Sequence, residues 1–129
     1  MKIQITGIGS YIPALKIHNT DFDKHVFLNE DGSAFAYPND VVISKFKGIT
    51  GIEQRRYAED HLNSSDLAFF ASEKAIEDAK IDPETIDYII YAHNFGDVNH
   101  GTIQTDTLPS LATRVKNKLQ IKNPKCVAY

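Results

Sequence analysis

The chain has 129 residues, 42% of them hydrophobic and 24% charged, with a formal net charge of −3. That is enough to bury roughly two thirds of the unfolded surface around one core, and too apolar for long disorder. Scattered lysines and arginines offer no basic field for a phosphate backbone, no apolar run approaches the roughly 20 residues that span a bilayer, and a lone cysteine cannot form an internal disulfide, so neither nucleic acid nor membrane is an expected partner and a reducing cytoplasm fits best.

Ile3 and Ile5 alternate with Gln4 and Thr6 before Gly7-Ile8-Gly9, the pattern of an opening strand with a glycine-rich exit and no export signal. A short helix is expected over Asp21–Phe27. Residues 29–39 carry Asp31-Gly32, Ser33 and Pro38 with no sustained period and read as an excursion loop. Asp40 to Lys47 then predicts a helix with Val41, Val42 and Phe46 inward and Gly48 as its left-handed cap, followed by a sharp turn at Thr50-Gly51.

Ser64, Ser65 and Asp66 open the clearest helix, since small hydroxyls cap free amides and an early carboxylate suits the positive end of the dipole. It is expected to reach about Lys80. Leu67, Ala71, Ala75 and Ala79 recur every fourth residue, a small-residue face suited to close packing on something flat. Ile86 to Ala92 runs apolar without alternation, as a central parallel strand covered on both faces does. After a polar loop from His93 to Thr107, Pro109, Leu111, Val115 and Leu119 predict a second amphipathic helix. Its basic end, with Arg114, Lys116 and Lys118, suits the negative pole of the dipole. Asn123-Pro124 then leads into an apolar strand at Cys126-Val127-Ala128-Tyr129. The alternation of strand and helix gives an α/β fold: a mixed sheet with helices packed on it, one domain over residues 1–129, expected to be incomplete because it ends on a strand that has just begun. The strands near Ile3, Tyr88 and Val127 should share one sheet.

Several residues invite a chemical role. Cys126 begins a strand with no helix start after it and only Lys125 as a nearby cation, which predicts an unactivated packing thiol. His93, Asp97 and His100 are spaced four and three apart in a loop and match no compact metal motif, so a polar loop at a strand end is preferred and no metal is expected. Gly7-Ile8-Gly9 lacks the third glycine of a dinucleotide fingerprint, because Ile12 and Pro13 follow. His18, His25 and His61 stand in polar surroundings and receive no role.

Three stretches in order, Ile5-Thr6-Gly7-Ile8-Gly9-Ser10-Tyr11-Ile12-Pro13, Gly48-Ile49-Thr50-Gly51-Ile52-Glu53-Gln54-Arg55-Arg56-Tyr57-Ala58 and residues 75–90 from Ala75-Ile76-Glu77 to Tyr88-Ile89-Ile90, resemble the start of 3-oxoacyl-acyl-carrier-protein synthase III enzymes of the thiolase superfamily. Leu108-Pro109-Ser110-Leu111-Ala112 and residues 121–129 resemble the helix and strand that precede the family's nucleophile. The resemblance implies the N-terminal half of a thiolase-like fold, truncated before the reactive cysteine, so that no catalytic residue lies in residues 1–129. It implies a parent enzyme that carries out a decarboxylative Claisen condensation of acyl and malonyl thioesters, as in fatty acid or polyketide synthesis, working as a homodimer.

Coenzyme A or acyl-carrier thioesters would be its substrates and no cofactor is implied. A hydroxymethylglutaryl-CoA synthase-like enzyme shares this layout. A non-catalytic interaction module and an unrelated α/β binding domain are the readings outside enzymology. By resemblance Thr50 lies at the pantetheine-nucleotide entrance, although as bare chemistry Thr50-Gly51 is a tight turn. Lys45 and Ile49 stand where such enzymes often place a tryptophan and an arginine against the nucleotide. Leu108 matches a hydrophobic residue that reaches across the dimer into the partner's acyl pocket; a staple at the helix start is the competing reading.

Overall fold

A computed structural model describes residues 2–129, which fall into two compact units, residues 13–58 and a larger one built from residues 2–12 and 59–129. Sequence order therefore interleaves them.

In the smaller unit, β1 (Leu15–His18) pairs antiparallel with β2 (Gln54–Tyr57), placing Leu15 opposite Tyr57 and Ile17 opposite Arg55. The helix expected over Asp21–Phe27 is only a 3-10 turn, Asn19–Phe22, because the Asp21 side chain turns back to accept from the His18 N–H (2.7 Å), closing one tight turn rather than starting a longer one. Helix α1 (Asn39–Thr50) runs past Gly48, and the left-handed cap is Gly51, with φ +67°. Thr50 explains the extra turn, since its hydroxyl donates to the Phe46 carbonyl (2.7 Å) and accepts from the Ile52 N–H (3.2 Å), holding both sides of the exit. Of the three expected inward residues only Val42 is buried, while Val41 and Phe46 remain partly in water. The excursion loop folds back on itself, with Leu28 bridged to Ala34 around Asp31-Gly32.

The larger unit is organised by two helices, α2 (Ser64–Ala79) and α3 (Leu111–Lys118), packed on each other. Asn63 caps α2 in a reciprocal box with Asp66, one residue earlier than the hydroxyl cap expected from the sequence. Its small-residue face does pack closely, but on backbone rather than on a sheet. Residues 2–12 lie along α2, and a Cβ on Gly7 would stand 2.6 Å from the Ala79 nitrogen; one on Gly9 would collide with the Ala71 carbonyl. Glycine on one side and alanine on the other are what so close an approach requires. The Ile8 N–H bonds the Asp78 carboxylate (2.9 Å) and the Lys74 ammonium bonds the Ser10 carbonyl (3.0 Å), so this segment is anchored by side chains rather than by a ladder.

The expectation that Ile3 shares a sheet with Tyr88 and Val127 is therefore met only in part. Strand β3 (Tyr88–Ile89) pairs parallel with β4 (Val127–Ala128), and Ile3 is outside any strand and 84% exposed. Antiparallel and parallel pairings both occur, in two separate two-stranded sheets. Nor is the apolar run from Ile86 covered on both faces: Ile89 and Tyr91 are half-buried while Tyr88 and Ile90 face water. A two-stranded sheet packed on one side has only one dry face, so the unbroken hydrophobicity of the run is not matched by burial among the described residues. The dry core centres on α3, where Leu111, Ala112 and Val115 are almost wholly buried and are joined by Ile121 and Cys126.

Candidate functional site

Leu108 sits two residues before Ser110, which caps α3 by accepting from the Thr113 N–H (3.3 Å). Its side chain is 83% exposed, so it does not staple the helix start. An exposed leucine at the end of a long loop would ordinarily be mobile; here the backbone around it is gripped. Side chains on a helix lean toward its N-terminus, and Arg114, one turn into α3, reaches back accordingly. Its Nε donates to the Pro109 carbonyl and one Nη2 bond reaches the Leu108 carbonyl, each at 3.0 Å.

The same guanidinium is fixed on its other edge by two carboxylates, Asp97 at 3.0 Å and Asp106 at 2.6 Å. Asp97 is 3% exposed and also accepts from the N–H (2.8 Å) and hydroxyl (2.6 Å) of Ser65 at the start of α2. Asp97 and Asp106 in turn exchange backbone bonds of 3.0 and 2.8 Å. A buried carboxylate is tolerable only with such a set of donors. Hydrogen bonding to Arg114, helped by its charge and by the Leu108 N–H, outweighs partial desolvation and holds the Asp106 carboxyl below the usual range; Asp106 in return raises the Arg114 guanidinium above its already high value. A second pair ties the helices together: Lys118 meets Asp66 at 2.6 Å. Burial pushes the Asp66 carboxyl up, but the Lys118 and Asn63 hydrogen bonds overcome it and the net shift is downward.

The expected polar loop is thus a braced one. Asp97, weighed in the sequence as a metal ligand, is the buried anchor of the brace. His93 Nδ1 accepts from the Gly96 N–H (2.9 Å) and His100 pairs with Asp60 (3.2 Å), so the three residues point to different partners. Arg114 reads in sequence as a dipole-complementing cation, and its link to Asp97 spans 17 residues, with no local spacing to announce it.

Cys126 is buried, 4% exposed, immediately before β4, and its carbonyl accepts from the Lys116 ammonium (2.6 Å). It stands at a strand start, as the sequence indicates. Thr50 belongs to the smaller unit. That unit also holds a cavity of about 250 Å³ walled by Phe22, Phe27, Ile43, Phe46 and Tyr57, with Arg55 5.8 Å from the Phe22 ring. Lys45 lies 5.6 Å from the Tyr37 ring beside an apolar hollow that Ile49 also lines.

Among known proteins, the chain is 37% identical over 122 residues to the β-ketoacyl-acyl-carrier-protein synthase III of Staphylococcus haemolyticus, which covers 95% of this chain and 32% of that protein. It is 41% identical over 103 residues to the enzyme of the same name from Staphylococcus aureus strain JH1, covering 80% of this chain and 29% of the relative. The chain spans about a third of the length of these curated relatives. Among solved structures, 3-oxoacyl-acyl-carrier-protein synthase III from Aquifex aeolicus superposes with a TM-score of 0.66 at 26% identity, over 95% of this chain and 33% of that one. A 3-oxoacyl-acyl-carrier-protein synthase from Burkholderia xenovorans gives 0.69 at 20% identity, over 95% of this chain and 29% of that one, and shows the fold alone. No family model matches. Over most of its length the chain is similar to synthase III enzymes and shares their thiolase-like fold, as the ordered motifs indicate.

Proposed function

We propose that this chain belongs to a condensing acyltransferase and supplies the lip of its acyl pocket through Leu108 and a wall of its thioester entrance through the Thr50-Gly51 turn. The observation that carries this is identity of 37% to a synthase III along 122 of the 129 residues. In such a reaction an enzyme thiolate attacks the carbonyl of an acyl thioester and expels the carrier thiol. A malonyl thioester then loses carbon dioxide, and the resulting carbanion attacks the acyl-enzyme carbonyl, forming the new carbon–carbon bond and returning the thiolate. Covalent catalysis divides one hard step into two, and oxyanion donors stabilise the charge on each carbonyl oxygen.

Cys126 does not fit the role of that thiolate, because burial without a helix dipole or neighbouring base leaves a thiol unreactive. The nucleophile is therefore assigned outside residues 1–129. Lys45 and Ile49 at the entrance lack both a broad stacking face and a bidentate phosphate partner, so coenzyme A thioesters should bind weakly and an acyl-carrier thioester is the better donor. A homodimer gives Leu108 a partner pocket to enter.

Replacing the matching segment of the Staphylococcus haemolyticus enzyme with this chain tests the reading. The chimera should condense acyl and malonyl thioesters, with a raised KM for coenzyme A donors that Lys45→Trp lowers. A folded chimera that forms no 3-oxoacyl product would refute it.

A further inference from the structure

Leu108 is chemically plain, and what distinguishes it is how its backbone is held. Four polar contacts converge on Arg114, to two carboxylates and to the carbonyls of Leu108 and Pro109, and the Ser65 hydroxyl anchors Asp97 from the other side. A guanidinium presents its donors in a rigid plane, so gripping two successive carbonyls from a fixed anchor sets both their position and their direction. Lysine offers one rotatable point charge and cannot reproduce this. The side chain so held contributes nothing visible to the core, being 83% exposed, whereas the neighbouring Leu111 is 1% exposed. Holding an otherwise unused leucine by a charge network whose inner carboxylate, Asp97, is buried is expensive if stability is all it serves, because desolvated ion pairs add little net stability.

We propose that Arg114, anchored on Asp97, is a positioning residue that fixes where Leu108 enters the acyl pocket and so sets the acyl chain length the enzyme accepts. This rests on the condensing-enzyme reading above. Arg114 touches no reacting atom; it acts through Leu108. One methylene of misfit in an apolar pocket changes selectivity by on the order of tenfold, and freeing Leu108 to move by that distance should blur discrimination by a similar factor.

Two measurements test it. Hydrogen exchange on the full 129-residue chain should show Arg114→Lys speeding exchange over residues 105–110 while residues 111–119 keep their protection; unchanged exchange at 105–110 would show that the grip does not order the loop. In the condensing chimera, kcat/KM is then compared across acyl donors of increasing length. Arg114→Lys should flatten the preference about tenfold, and in a Leu108→Ala background it should change the preference no further. An equal loss for every chain length, or full additivity of the two substitutions, would overturn the proposal. A chimera that never condenses strikes at the functional reading itself and brings this inference down with it, whereas an active chimera with unaltered preference sinks this inference alone.

Discussion

The two units reach order by different means. In the larger one, α3 packs on α2 with Leu111, Ala112 and Val115 almost wholly buried and adds a largely buried ion pair, whereas in the smaller one Val42 is the one buried apolar residue among those described. What organises the smaller unit instead is polar and aromatic. The Asn39 amide donates to three carbonyls, those of Phe22, Asp23 and His25, at 3.3, 2.8 and 2.7 Å, and rings of Phe22, His25, Phe27 and Phe46 meet edge to face or tilted. A dry core tolerates few changes; a half-wet aromatic cluster around an open cavity tolerates more.

The contrast makes ordered predictions. Leu111→Ala should cost about 3–4 kcal/mol by chemical denaturation, since a wholly buried leucine loses both transfer energy and packing; Phe46→Ala in the smaller unit, half in water, should cost less. Equal effects would erase the distinction between the units. Asp97→Ala should cost about 3 kcal/mol by leaving Arg114 only one carboxylate and Ser65 without an acceptor, and a loss under 1 kcal/mol would mean that solvent already compensates the network. Ala75→Leu forces bulk between α2 and the glycine segment, at a cost of about 1–3 kcal/mol, whereas an unchanged midpoint would show that residues 2–12 lift off the helix in solution.

The smallest effect is on acid stability. Asp66 and Asp106 have folded-state values depressed below the ordinary 3.8, so their contributions are present in full above about pH 4 and decline as the pH falls through the depressed values. Lys118→Met should therefore lower the plateau above about pH 4 and flatten the decline below it, because Asp66 then titrates nearer its ordinary value. A profile unchanged below pH 4 would remove the Lys118–Asp66 pair from the account.

The sequence made the helices legible because their signals are local. Fourfold spacing of Ala71, Ala75 and Ala79 and of Leu111 and Val115 reports the packed faces directly, and Gly51 announces a left-handed turn even though the helix before it runs three residues further than Gly48 suggested. Strand partnership was less legible, since Ile3 and Ile5 alternate as a strand does, but only tertiary contacts decide whether an extended segment joins a ladder or lies on a helix. The Asp97–Arg114 brace was illegible for the same reason: its members come from one long loop and two helices, and charge alone does not reveal a partner 17 residues away.

The central claim is that this chain shapes a condensing site without carrying its reacting thiol, and the covalent state of Cys126 tests that most directly. Purified chain incubated with a short acyl thioester at neutral pH and weighed by intact-protein mass spectrometry should gain no acyl group on the timescale of enzyme turnover. Rapid stoichiometric acylation that Cys126→Ser abolishes would contradict it.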